Sequence, residues 1–195
     1  DAGTVGMQDS ADTLIGINAV WGSGFNDTLT GGNPTFDYVE QFNGSGGNDA
    51  IDGGSGFDYA MYRDAATGVT VNLSTNTASD GLGGTDTLAN IEGVIGSDFN
   101  DTLTGSANND VFQGRAGNDS IDGGAGTADR IDYHNDQDWN GDGFGVAVNL
   151  TGSTKSGTWN NIGYNVVANA AQDGWGNVDT LANLENIRGS IYNDV

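Results

Sequence analysis

The chain has 195 residues with 34 glycines, one proline and no cysteine, which excludes a disulfide-stabilised domain, a cysteine-ligated zinc site and, for lack of a Gly-X-Y period, collagen. Its 27 Asp and Glu against 5 Lys and Arg give a net charge of −22, which repels nucleic-acid phosphates and anionic membrane surfaces. Leu, Ile, Val and Phe make up only 39 residues, too few for us to expect such a highly charged chain to fold unaided.

A long phrase recurs along the chain. Residues 12–31 return as residues 86–105, and the phrase begins again at Asp179. A phrase that returns at such distances is typical of a stacked repeat protein. We therefore predict one repetitive module over 1–195, divided into units of about 12–85 and 86–178 and a truncated unit, 179–195.

A pattern of nine residues recurs within the units. Residues 53–61 read Gly-Gly-Ser-Gly-Phe-Asp-Tyr-Ala-Met, which has the form G-G-x-G-x-D-x-U-x with U apolar. The first six positions must turn, and the last three form a short strand whose eighth residue points inwards. Similar segments begin at Gly22, Gly44, Gly96, Gly105 and Gly114, and two with one inserted residue begin at Gly31 and Gly123. The inward positions are Leu29, Val39, Ile51, Ala60, Leu103, Phe112, Ile121 and Ile131.

Other strands are predicted between the nonapeptides. Residues 69–73 and 146–150 alternate apolar and polar side chains, which is typical of a strand with one buried face. Leu88, Ile91 and Val94 are spaced by three, but the glycines around them disfavour a helix. We predict a bend there that leads into a strand.

The aspartates at the end of each turn are predicted to bind metal. Two nonapeptides complete one coil, so turns two repeats apart stack at the strand spacing of about 4.8 Å. Stacked carboxylates repel one another unless a cation lies between them, and carboxylate with main-chain carbonyl oxygens suits Ca2+. The alternative is solvated aspartate in acidic turns. The predicted stacked pairs are Asp27 with Asp49, Asp37 with Asp58, Asp101 with Asp119 and Asp110 with Asp129. The turn positions assigned to the same sites are Gly22, Gly24, Gly44, Gly46, Gly53, Ser55, Gly96, Gly105, Gly114 and Gly123.

These two tandem runs of four nonapeptides resemble the RTX (repeats-in-toxin) family, whose pattern is that of a Ca2+-binding β-helix repeat. The resemblance implies an all-β fold, a right-handed parallel β-roll or β-solenoid stabilised by several Ca2+ ions. It also implies a large secreted bacterial protein, exported by a type I system and folding only outside the cell. Mixed nonapeptides and Val-Asn-Leu strands favour a surface adhesin over a compact toxin. The net charge of −22 is consistent with folding outside the cell, because external Ca2+ would drive folding by mass action.

A second metal site is predicted at residues 136–143, which resemble the front half of an EF-hand-type loop. Its twelfth position is Ala147 and not the usual bidentate Glu, so a merely polar insertion stays open. Glu92 and Glu185 occupy equivalent places in two units, where they would complete metal sites near the first nonapeptide or be solvated carboxylates. Because the first unit has Asn18 at this place, we favour solvated carboxylates. The predicted ligands of the loop are Asp136, Asp138, Asn140 and Asp142.

The second unit is longer than the first, mainly through an insertion at 151–177 that holds Trp159, Tyr164 and Trp175. Packed rungs cannot change length without losing register, so the insertion is expected on the surface. Its aromatic side chains would suit a glycan ligand, or they would cap the core. Ice binding is a weaker alternative, suggested by the outward threonine pairs at 28 and 30 and at 102 and 104.

No enzyme is predicted. The single histidine, His134, has no nucleophile or metal-binding motif around it, and the carboxylates lie where a metal would claim them. The sequence shows no transmembrane span and no signal-like start. It lacks an initiator Met and stops inside a repeat, so we expect a piece of a longer chain, with neighbouring domains, that is exported without a cleaved N-terminal signal in this segment.

Overall fold

The structure, a computed structural model, describes residues 17–32, 39–136, 145–151, 153, 155–159, 162–192 and 194. These residues form strands and turns, and among them no helix is long and apolar enough to cross a membrane. Most strands are three residues long, because the preceding residues of each repeat form the turn. The strands are β1 (Ala19–Trp21), β2 (Thr28–Thr30), β3 (Val39–Asn43), β4 (Ala50–Asp52), β5 (Phe57–Met61), β6 (Thr70–Asn72), β7 (Thr77–Ser79), β8 (Thr85–Ala89), β9 (Gly93–Ile95), β10 (Thr102–Thr104), β11 (Val111–Gln113), β12 (Ser120–Asp122), β13 (Arg130–Asp132), β14 (Ala147–Asn149), β15 (Lys155–Trp159), β16 (Ile162–Val166), β17 (Ala170–Gln172), β18 (Val178–Ala182) and β19 (Asn186–Arg188).

Two large sheets contain nearly all of these strands. One is parallel throughout, in the order β1-β3-β5-β9-β11-β13-β19. The other has the order β14-β17-β18-β12-β10-β6-β7-β8-β4-β2 and is antiparallel only at β6-β7-β8 and β14-β17-β18. Strands β15 and β16 form a separate antiparallel pair. Successive nonapeptides alternate between the two large sheets, so the chain is the expected parallel β-roll.

The coil length agrees with the prediction. Leu103 pairs with Ile121 on one sheet, and Val94 pairs with Phe112 on the other. In both pairs the partners are 18 residues apart, which is two nonapeptides. Each coil therefore places one turn directly above the turn of the coil before it.

The eighth residues of the nonapeptides form the core between the sheets. Leu29 is partly buried against this core. Fully burying an apolar side chain contributes about 1.5–3 kcal/mol, but each coil supplies only two such positions, so the core is narrow. The buried eighth residues are Ile51, Ala60, Leu103, Phe112, Ile121 and Ile131.

The inward position predicted for β3 is wrong. Val39 is 40% exposed, whereas Phe42 is 2% exposed and pairs with Ala60 of the next coil. The segment after Gly31 is longer than the single inserted residue that we assumed, so the strand meets its neighbour three residues later. This register buries the larger side chain and places Glu40 beside Asp58.

The two Val-Asn-Leu strands differ from each other. Residues 69–73 bury alternate side chains as predicted. In residues 146–150 the prediction fails at Leu150, which is 38% exposed, because Asn149 turns inwards. The Asn149 amide donates hydrogen bonds to Val166 O at 3.0 Å and Val167 O at 2.9 Å, and both carbonyls belong to the insertion of this unit.

The predicted bend is confirmed between β8 and β9. Leu88, Ile91 and Val94 are all buried, and the main chain turns between the two strands. Asn90 has a φ of 50°, the left-handed conformation that asparagine tolerates better than most residues. This bend transfers the chain from one sheet to the other.

Replacing Phe42 with Ala should lower the free energy of unfolding by about 3–5 kcal/mol, because it leaves a cavity between the sheets. The control is Val39→Ala, whose cost should stay within about 0.5 kcal/mol because the side chain is on the surface. Urea unfolding in the presence of Ca2+ measures both. A larger loss for Val39→Ala would contradict the register described here.

Candidate metal centre

Each turn begins with a glycine that leaves room for the aspartate at the end of the turn. A Cβ on Gly44 would overlap the Asp49 carboxylate, and a Cβ on Gly114 would overlap that of Asp119. The carboxylate therefore folds back over its own turn and is removed from solvent. The carboxylate can pack against this position only because glycine has no side chain.

Hydrogen bonds join the acidic residues of successive turns into carboxylate ladders. The backbone N–H of Asp101 donates to Asp119 Oδ1 at 2.9 Å, and that of Asp119 donates to Asp179 Oδ1 at 3.0 Å. Each ladder stacks three like charges along one side of the roll. The four ladders are Asp27–Asp49–Asp86, Asp101–Asp119–Asp179, Glu40–Asp58–Glu92 and Asp110–Asp129–Glu185.

Three of the four predicted pairs are neighbours in these ladders: Asp27 with Asp49, Asp101 with Asp119 and Asp110 with Asp129. In the fourth, Glu40 precedes Asp58, and the predicted Asp37 lies outside the described residues. The shifted register of β3 explains why Glu40 is the neighbour of Asp58 in this ladder.

Sequence reasoning assigned no ligand role to the last member of any ladder. Asp86 and Asp179 are fully buried, yet the nonapeptide pattern does not include them. The glycine-rich segments 81–84 and 174–176 just before them were the available signal. Glu92 is half-buried and Glu185 is exposed, as expected of a solvated carboxylate, but each also accepts an N–H at 3.0 Å from the ladder residue before it.

The turns fall into two classes, and in the first a serine caps the carboxylate. Ser97 N donates to Asp101 Oδ2 at 2.7 Å, and Ser97 Oγ donates to Asp101 Oδ1 at 2.6 Å. Ser106 N and Oγ both donate to Asp110 Oδ2, at 2.6 and 2.9 Å, so Asp110 Oδ1 stays buried without a partner in the described part of the chain. The serine-capped turns begin at Gly22, Gly96, Gly105 and Gly189.

In the second class of turn, the residue after the first glycine has a left-handed backbone and does not hydrogen-bond the carboxylate. Arg115 has a φ of 73° and Ser45 a φ of 66°. These left-handed turns begin at Gly44, Gly53, Gly114 and Gly123, and the unpaired oxygens are Asp49 Oδ2, Asp58 Oδ2, Asp119 Oδ2 and Asp129 Oδ2. All four are buried without a hydrogen-bond partner in the described part of the chain. An ionised carboxylate in that position needs a counter-charge.

Burial and like charge disfavour the ionised form of these groups. Burial, together with the carboxylate of Asp179, raises the pKa of Asp119 to about 9. Burial also raises the pKa of Asp58 to about 6 and that of Asp179 to about 7. Within the described residues, ion pairs involve only Asp98 and Asp132, so no basic side chain neutralises a ladder.

The donor set fits a hard cation. Carboxylate and carbonyl oxygens are the ligands that Ca2+ prefers, and six to eight of them are needed. In the described ranges no three acidic, His or Cys side chains are already placed to hold an ion. Main-chain oxygens must therefore contribute. Among the first glycines, Gly44 O and Gly114 O each lie against the first glycine of the neighbouring coil.

The remaining predicted ligands have different surroundings. A Cβ on Gly24 would meet nothing within 4 Å, and the Ser55 N–H donates to Gly32 O at 3.3 Å. Asp136 is buried, whereas the other three loop ligands, Asp138, Asn140 and Asp142, lie outside the described residues.

The aromatic residues of the insertion occupy two hairpins. Trp159 is in β15 and Tyr164 is in β16, in the separate antiparallel pair. Trp175 lies in the turn between β17 and β18, where its N–H donates to Asp173 Oδ1 at 3.0 Å. His134 is half-buried, and its N–H donates to Asp132 Oδ1 at 2.9 Å.

The sequence matches the family description of the RTX calcium-binding nonapeptide repeat, in four copies, at residues 12–33, 41–60 and 95–127. These segments contain most of the turns described above. The chain therefore carries RTX repeats, and such repeats bind several Ca2+ ions. A search of curated proteins found no match.

Without metal, the fold should become more stable as the pH falls. The raised pKa values mean that the folded state holds more protons than the unfolded chain between about pH 4 and pH 9. Stability is therefore lost as the pH rises through this window. In EDTA, the strand signal in far-ultraviolet circular dichroism should be larger at pH 5 than at pH 8, and saturating Ca2+ should remove or reverse that difference. A strand signal in EDTA that rises with pH would contradict this account.

Gly114→Ala should lower the free energy of unfolding by about 1–3 kcal/mol, because the added methyl group overlaps the Asp119 carboxylate. Gly24→Ala is the matched control, since open space surrounds the same addition. Its effect should be within about 0.5 kcal/mol. Thermal unfolding in Ca2+ compares the two, and equal losses would show that the first glycine does not make room for the carboxylate.

Proposed function

We propose that this chain is a calcium-dependent structural module of a secreted bacterial protein, in which Ca2+ permits folding and stiffens the roll. The supporting observation is the set of four carboxylate oxygens in the left-handed turns that are buried without a partner among the residues that the structure describes. An ion bound beside each would supply the counter-charge that these residues do not provide. The proposed role is therefore that of a scaffold and not of an enzyme.

The ligands of these ions are the turn aspartates and main-chain oxygens. We assign the second carboxylate of each ladder as the central ligand, with the first carboxylate and the glycine-rich backbone beside it. The set comprises Asp27, Glu40, Asp49, Asp58, Asp101, Asp110, Asp119 and Asp129, with Asp37 as a further candidate. Because one ion contacts adjacent coils, binding at one level also aligns the next.

The charge of the chain supports export before folding. At −22 and with few apolar residues, the chain resists compaction where Ca2+ is scarce. A millimolar Ca2+ concentration outside the cell would fold it through mass action. A type I export route, neighbouring domains and an adhesin as the parent protein fit this behaviour.

Ligand binding is the secondary proposal, and it concerns the insertion. A glycan would have to contact the β15–β16 hairpin, because Trp175 lies in a different hairpin turn. Ice binding has less support, since β2 and β10 are separated by β4, β8, β7 and β6 in their sheet. The threonine pairs on those two strands therefore do not form one array.

Removing Ca2+ with EDTA should convert the chain to a largely disordered state, because the buried carboxylates then repel one another at neutral pH. Restoring Ca2+ should return the strand signal in far-ultraviolet circular dichroism. Mg2+ is the control cation and should restore less signal, since its octahedral geometry suits these turns poorly. A spectrum that is the same in EDTA and in Ca2+ would overturn the proposal.

A further inference from the structure

Three buried aspartates meet at the hairpin that follows the first run of nonapeptides. Asp80 precedes the turn between β7 and β8, Asp86 is in β8, and Asp49 ends the neighbouring nonapeptide turn. All three are at most 2% exposed. We call these residues the first hairpin cluster. Asp80 and Asp86 lie outside the segments that match the RTX repeat.

Each carboxylate of this cluster has one oxygen fixed by the main chain and one oxygen free. Asp80 Oδ1 accepts the N–H groups of Leu82 and Gly84, both at 2.8 Å. Asp86 Oδ1 accepts the N–H of Asp49 at 3.0 Å. The three Oδ2 atoms are buried and have no hydrogen-bond partner in the described part of the chain. Three unsatisfied anionic oxygens in one buried region call for a cation.

A main-chain oxygen lies at the same place. The Cα of Gly84 is flanked by Gly47 O and Asp80 Oδ2, since an added Cβ would meet both. The proximity of the carboxylates also has an electrostatic effect, because burial with the nearby Asp49 and Asp80 raises the pKa of Asp86 to about 6. These oxygens are of the kind that Ca2+ binds.

The second unit repeats this arrangement 93 residues later. Asp173 Oδ1 accepts the N–H groups of Trp175 and Asn177, and Asp179 Oδ1 accepts that of Asp119. We call Asp119, Asp173 and Asp179 the second hairpin cluster. Here Tyr133 Oη donates to Asp179 Oδ2 at 3.0 Å and Asn177 Nδ2 donates to Asp173 Oδ2 at 3.1 Å, so only Asp119 Oδ2 has no partner in the described part of the chain. These donors are neutral and leave the charge of the carboxylates uncompensated.

A fourth carboxylate joins the second cluster. Asp136 is 5% exposed, and its Oδ2 accepts the N–H of Gly174 at 3.4 Å. The first unit has Ala65 at the matching place, since both residues donate an N–H to the carbonyl of a tyrosine three positions earlier, Tyr62 or Tyr133. The chain thus contains two versions of the cluster that differ by one negative charge.

We infer that each hairpin cluster binds one additional Ca2+ ion, which shares Asp49 or Asp119 with a nonapeptide turn, and that this ion fastens the antiparallel hairpin to the β-roll. The inference rests on the proposed calcium-dependent function. The carboxylates of a cluster are not yet placed to hold an ion by themselves, so they must close around it with carbonyl oxygens such as Gly47 O. Asp136 makes the second site the tighter one, because ligand charge sets Ca2+ affinity.

The test counts Ca2+ ions per folded chain by native mass spectrometry and isothermal titration calorimetry. Asp80→Asn and Asp173→Asn should each lower the count by one ion and leave the other ions bound. Asp98→Asn is the charge-matched control, because Asp98 is exposed and pairs with Arg115. It should bind as many ions as the parent chain.

Asp136→Ala gives a second measurement in a variant that copies the first unit and should therefore fold. It should weaken one binding step about tenfold, because a ligand charge is lost. Unchanged ion counts in both asparagine variants would overturn the inference. If those variants do not fold, an unchanged Ca2+ affinity of Asp136→Ala would overturn it instead. Either result would show that protons satisfy these carboxylates. Failure of the proposed function looks different, since the parent chain itself would then bind no Ca2+.

Discussion

The structure depends above all on carboxylates that are stacked in consecutive turns, where no basic side chain of the described residues neutralises them. The ladder geometry brings Asp101, Asp119 and Asp179 into hydrogen-bonded succession. Each N–H satisfies one oxygen of the next carboxylate but removes none of its charge. A chain that folds this way must take up protons or cations, and at neutral pH the available cation of suitable chemistry is Ca2+.

The narrow core makes this dependence stronger. Each three-residue strand contributes one inward side chain, such as Leu103 or Ile121, and the turns between them bury carboxylates instead of apolar groups. The apolar area therefore offsets less of the conformational entropy lost on folding than it would in a thicker domain. Metal binding and core packing consequently act as one folding equilibrium.

The sequence was sufficient for features that repeat and insufficient for features that depend on inserted residues. The eighth-position rule predicts Ile51, Phe112 and Ile131 correctly, because one residue type serves one place in every coil. It fails at Val39, since the length of the preceding insertion decides the register. It also misses Asp80 and Asp86, because antiparallel pairing of β7 with β8 carries them to the nonapeptide turn, and a nine-residue pattern holds no information on that pairing.

The two classes of turn show that the need for a cation is uneven along the roll. In a serine-capped turn, groups of the turn itself hydrogen-bond the carboxylate, as Ser97 does for Asp101, although one oxygen of Asp110 is still without a partner in the described part of the chain. In a left-handed turn the second residue does not hydrogen-bond the carboxylate, so the free oxygen of Asp119 depends on a cation or proton between the coils. In each ladder the aspartate of the left-handed turn is the second of three members, after a serine-capped aspartate or Glu40. Its unpaired oxygen is therefore enclosed between two coils. That enclosure excludes water from the carboxylate, and it gives a bound ion ligands from more than one coil.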